Sequence, residues 1–78
     1  MKILAFGIVK EIFSDSMIDI DLNNGSTVEA LKEQLGKQYP QLDELGSYLI
    51  AINNEYASAG DTIQANDEVA VIPPVSGG

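Results

Sequence analysis

The chain contains no cysteine, no histidine and no arginine. Without cysteine there is no disulfide, no thiol nucleophile and no side chain on which sulfur could be carried. With histidine missing as well, zinc sites, Ser–His pairs and histidine acid–base chemistry are excluded. The only side-chain cations are lysines, four of them against twelve carboxylates, for a net charge of −8. Nucleic acid and anionic membranes both demand a basic face, so neither is an expected partner; solubility, or encounter with basic protein surfaces, is. No stretch approaches the ~20 apolar residues of a membrane span. Lys2 is followed by a short alternating run rather than the sustained apolar core of a signal peptide, so a soluble cytoplasmic protein is expected.

What remains is 78 residues, enough for one modest core. Residues 2–9 (KILAFGIV) are apolar almost throughout and predict a strand buried on both faces, with Gly7 where another backbone comes close. Residues 10–16 (KEIFSDS) read as a polar turn that tucks Ile12 and Phe13 under the sheet. Residues 17–22 (MIDIDL) alternate, with Ile18, Ile20 and Leu22 inward and Asp19 and Asp21 outward. The two aspartates share one face and could approach a hard cation, but a solvated strand face accounts for them equally well. Ser26-Thr27-Val28-Glu29 fits a capping box, and Val28, Leu31 and Leu35 follow at helical spacing until Pro40 stops the helix near Tyr39. An irregular link over residues 41–47 leads to a third strand at 48–53, and Asn54-Glu55 turns the chain into a minor strand near Tyr56. Gly60-Asp61-Thr62-Ile63 makes a tight turn seating Ile63 on the core. The final strand, 68–72, follows a turn at Asn66-Asp67 in which Asn66 can take positive φ. This order predicts an α+β fold of the β-grasp, ubiquitin-like kind: a mixed sheet of four or five strands with one main helix across one face. The first and last strands lie parallel at its centre.

The last strand runs straight into Pro73-Pro74-Val75-Ser76-Gly77-Gly78. Proline has no N–H and a fixed φ, so sheet pairing ends there and the chain takes an extended path. The domain is therefore read as residues 1–72, with 73–78 a tail. Six extended residues reach roughly 20 Å, and the side-chain-free Gly77 and Gly78 make the end thin enough for a narrow channel. The carboxylate of Gly78 is the expected functional group. Alternation in the last strand sends Val69 and Val71 to the helix and Ala70 and Ile72 to the open face, where Ile50 and Ile52 are expected to join them. An apolar patch beside such a tail suits docking.

From Asp67 to Gly78 the sequence DEVAVIPPVSGG resembles the ending of the molybdopterin synthase small-subunit family, the MoaD-type sulfur carriers. The resemblance extends to Lys10-Glu11, to Thr27-Val28-Glu29-Ala30-Leu31 and to Ala51-Ile52-Asn53, and so spans nearly the whole chain. It implies that a ubiquitin-activating-like (MoeB-type) enzyme, using ATP and magnesium, adenylates Gly78. A sulfurtransferase then leaves a thiocarboxylate there. It also implies insertion of the tail into a MoaE-type large subunit, where sulfur passes to a cyclic pyranopterin and forms the dithiolene, in a complex of two small and two large subunits. On this resemblance Pro73, Pro74, Val75 and Ser76 line the insertion channel, Gly77 keeps the approach slim, Ile72 and Lys10 meet the partner, and no cofactor stays bound. The chain departs from the family at Ile72, commonly aromatic, at Lys10, commonly arginine, and at Asn66, commonly glycine. These positions affect docking and turn geometry rather than the reacting group. Two alternatives stay open: a carrier of the same fold for thiamine synthesis, tRNA thiolation or protein conjugation, and a non-covalent β-grasp binding module.

Overall fold

Strand β1 (Lys2–Ala5) sends Ile3 and Ala5 into the core and ends where Gly7 adopts a φ of 56°. The computed structural model describes residues 1–74. A continuous strand over 2–9 is therefore not formed. The chain turns at Gly7 into helix α1 (Ile8–Phe13), which also replaces the expected polar turn. The helix forms because Val9 and Phe13, four residues apart, fall on one helical face and are both buried. Phe13 also packs its ring 4.6 Å from that of Tyr39. Ser14, in the left-handed region, closes the helix, with its N–H donating to the Lys10 carbonyl.

Strand β2 (Met17–Asp19) returns antiparallel to β1, setting Lys2 opposite Asp19 and Leu4 opposite Met17. Ile20 is fully buried just beyond it, while Asp19 and Asp21 are exposed. The short strand β3 (Ser26–Thr27) leads into helix α2 (Val28–Gln38), whose cap is Thr27, its Oγ1 accepting from the Ala30 N–H at 3.2 Å. The capping box expected from Ser26 and Glu29 is thus not formed, and a single cap bond one residue later takes its place. Ser26 is instead engaged in pairing with β6 (Thr62–Ile63). The free N–H groups of Val28 and Glu29 find the carbonyls of Asp61 and Ala59. Val28, Leu31 and Leu35 are buried from α2, and each fully buried aliphatic side chain contributes about 2 kcal/mol.

The helix ends before Pro40, as the proline requires, but the link that follows is a 3-10 helix (Pro40–Leu45) that buries Leu42. Strand β4 (Leu49–Ile52) and strand β5 (Glu55–Tyr56) form a hairpin across Asn53 and Asn54, both at positive φ, the conformation a tight hairpin turn requires. The expected turn at Asn54-Glu55 therefore falls one residue earlier, and Asn66 does not take the positive φ foreseen for it. Strand β7 (Val69–Ile72) completes a five-stranded sheet in the order β2-β1-β7-β4-β5. Its parallel neighbour β1 and antiparallel neighbour β4 place it at the centre. This is the mixed β-grasp sheet read from the sequence.

Candidate functional site: the open sheet face and the end of the central strand

Residues paired across neighbouring strands share a face of the sheet, so the register fixes what each face carries. Ile50 pairs with Val71 and Ile52 with Val69, and all four pack on the core side. Ile50 and Ile52 are thus not on the open face; Ile50 is only 1% exposed. Strand β4 is apolar at every position, and its phase follows from pairing with β7 rather than from its own pattern. Leu49 and Ala51 take the open face instead, opposite Ile72 and Ala70. The placement expected of Ala70 and Ile72 holds.

On that face Leu4 lies beside Ala70 and opposite Met17, and Tyr56 lies opposite Ala51. Leu4, Phe6, Ala51, Tyr56, Ala70 and Ile72 line a shallow hollow of about 300 Å³, with Asn54 and Glu68 at its rim. Leu49 is 46% exposed and Tyr56 72%, so large apolar groups face solvent around a floor of two alanines. Exposed apolar patches of this kind are common at contact surfaces. Leu4, Phe6, Met17, Leu49 and Tyr56 did not emerge from the sequence reading. The alternation of Ile3 and Ala5 against Lys2 and Leu4, in phase with Val69 and Val71, was the available signal. Lys10 is exposed on α1.

Side-chain hydrogen bonds anchor the start of β7. At its start the Asn53 side chain accepts from the Glu68 N–H at 2.9 Å and donates to Asp67 at 3.0 Å. The other Asp67 carboxylate oxygen accepts from the Gln64 N–H at 2.8 Å. These two donors hold the Asp67 carboxyl below its ordinary pKa, the backbone bond contributing most. At the far end Pro73 is half-buried and Pro74 exposed. The group that packs close to Gly7 is the Pro73 ring, not a second backbone. Val75, Ser76, Gly77 and Gly78 lie outside the described residues. Among the described residues no three Asp or Glu side chains gather where a metal could be held, and no helix is long and apolar enough to cross a membrane.

The sheet order, the helix across one face and the bare opposite face define a ubiquitin-like β-grasp domain. The chain belongs to the ThiS family, whose model matches residues 3–78. It is 46% identical over 81 residues to the molybdopterin synthase sulfur carrier subunit of Dictyostelium discoideum, covering 99% of this chain and 94% of that one. It is 33% identical over 79 residues to the subunit of that name from Arabidopsis thaliana, covering 100% and 82%. Among solved structures, SAMP1 from Haloferax volcanii superposes with a TM-score of 0.78 at 27% identity, covering 99% and 97%.

Proposed function

We propose that this chain is the sulfur-carrier subunit of a molybdopterin synthase. The observation that carries the reading is an apolar, uncovered sheet face on a ThiS-family domain, with the central strand of that sheet leading directly into Pro-Pro-Val-Ser-Gly-Gly. The whole-length likeness to subunits of that name supports it.

The chemistry follows from the reactivity of a carboxylate. Its negative charge repels nucleophiles and oxide cannot leave, so Gly78 needs activation. An adenylating enzyme joins a carboxylate oxygen to the α-phosphorus of ATP and releases pyrophosphate, with magnesium held on that enzyme. The terminal sulfur of a persulfide on a sulfurtransferase then displaces AMP, and a thiol reductant cleaves the acyl disulfide so formed to leave the thiocarboxylate. The resulting thiocarboxylate is a soft nucleophile that attacks carbon at neutral pH. On this reading residues 73–78 enter the large subunit, with Pro73, Pro74, Val75 and Ser76 against the channel wall and Gly77 giving passage. Ala70, Ile72 and the other open-face residues dock the same partner, and Lys10 adds a charge at the edge. The pocket for the pyranopterin belongs to the large subunit, and the setting is cytoplasmic.

Complementation separates this pathway from others that use the same fold. Expression in a strain lacking its own molybdopterin synthase small subunit should restore molybdenum-enzyme activity, and deletion of Gly78 should abolish it. Rescue of a thiamine auxotroph without rescue of molybdenum enzymes would move the assignment to the thiamine branch. A function retained without Gly78 would indicate a non-covalent binding module.

A further inference from the structure

Strands β1 and β7 run parallel, with Ile3, Leu4 and Ala5 beside Val69, Ala70 and Val71. The same offset carried two residues further sets Phe6 beside Ile72 and Gly7 beside Pro73. At that level β1 leaves the sheet: Gly7 takes φ 56° and ψ −132° and feeds α1. The space it vacates is closed by proline. A β-carbon built on Gly7 would lie 3.1 Å from Pro73 Cγ, well inside the ~3.5–4.0 Å of an ordinary carbon–carbon contact. Two independent constraints, the left-handed backbone and the proline ring, thus call for glycine at position 7.

We propose that Gly7 is a positioning residue: its bare α-carbon seats the Pro73 ring, and this contact sets the direction in which the chain leaves the central strand. The functional consequence rests on the sulfur-carrier reading above. Proline fixes its own φ, so a seated ring transmits its orientation to the next residue, and Pro74 extends the same path. The exit of the chain at Pro73 and Pro74 is then set before it meets its partner. Orientation of a reacting group is worth orders of magnitude in rate, and a displacement of about 1 Å can cost about a hundredfold. The docking contacts of the open face, by contrast, do not depend on the seat.

The test uses the full chain carrying a thiocarboxylate installed at Gly78 by chemical ligation, which bypasses activation. Affinity for the large subunit and single-turnover sulfur transfer at saturation are measured separately for wild type, Gly7→Ala and Pro73→Ala. Gly7→Ala, which leaves every channel and docking residue in place, should bind within about twofold of wild type, and both variants should transfer sulfur roughly tenfold or more slowly at saturation. A merely structural role would lower Tm, or affinity, and leave the saturated transfer rate unmoved. Transfer by Pro73→Ala at the wild-type rate would overturn the proposal. That variant keeps Gly7 and carries the test alone if Gly7→Ala does not fold. If wild type itself transfers nothing, the sulfur-carrier reading fails instead, and the seat is judged by NMR. A nuclear Overhauser contact between the Gly7 α-protons and the Pro73 ring supports it, and its absence refutes it.

Discussion

The two faces of the central sheet are nearly equal in apolarity and opposite in fate. On one, Ile3, Ala5, Ile50, Val69 and Val71 are sealed beneath α2 and the loops around it. On the other, Leu4, Phe6, Met17, Leu49, Tyr56 and Ile72 are uncovered or only partly covered, around Ala51 and Ala70. Burial of the first face drives folding. The second gains less from folding alone, since Leu49 and Tyr56 stay largely exposed, and docking a partner would account for its apolar character. Hydrophobicity by itself does not distinguish a core from an interface; the register does.

Adjacent residues of β7 provide the strongest way to break this comparison. Val71 is fully buried, and an unpaired carboxylate there is more costly than a domain of this size can bear. Val71→Asp should therefore abolish the cooperative unfolding transition followed by circular dichroism. One residue on, Ile72→Asp should keep that transition within a few degrees of wild type. It should also weaken binding to the large subunit by about 30-fold, or about 2 kcal/mol, in a titration calorimeter. Unchanged binding would remove Ile72 from the docking surface. A folded Val71→Asp would mean the faces are misassigned.

Smaller effects test the frame that holds the faces apart. Loss of the α2 cap in Thr27→Ala should lower unfolding free energy by about 1 kcal/mol in urea titrations and leave partner affinity unchanged. The smallest effect belongs to Asp67, whose folded-state pKa lies below the ordinary 3.8 through its bonds to Gln64 and Asn53. A depressed folded pKa gives stability that is present above the unfolded value and lost as pH falls through the folded one. Asp67→Asn should accordingly lower Tm near neutral pH. The difference from wild type should close as the pH falls below about 3.8.

Much of this architecture was legible in the residues. Val28, Leu31 and Leu35 gave α2, Pro40 gave its end, and alternation gave the faces of β2, which stops at Asp19 rather than running over 17–22, and of β7, which starts at Val69 rather than at 68. The misreadings share a cause. In KILAFGIV every position after Lys2 is apolar, as is every position of LIAI, so neither the end of β1 nor the phase of β4 can be read from pattern alone. The first is decided by one backbone angle at Gly7, the second by partners some twenty residues away on β7. The Val9–Phe13 spacing was the available signal for α1, but it straddles the apolar run read as a strand over 2–9 and the polar residues read as a turn over 10–16. In the site, Ala70 and Ile72 were readable from local alternation. Leu4, Phe6, Leu49 and Tyr56 join them only through long-range pairing.

The central claim is that Gly78 carries sulfur, and intact mass spectrometry tests it most directly. The full chain is incubated with ATP, magnesium, a sulfur source and the host's adenylating enzyme and sulfurtransferase. The account predicts a mass gain equal to one oxygen replaced by sulfur, mapped to Gly78 and lost when Gly78 is deleted. No gain, with a known carrier charged in the same mixture, would contradict it and leave the open sheet face as the working part of the molecule.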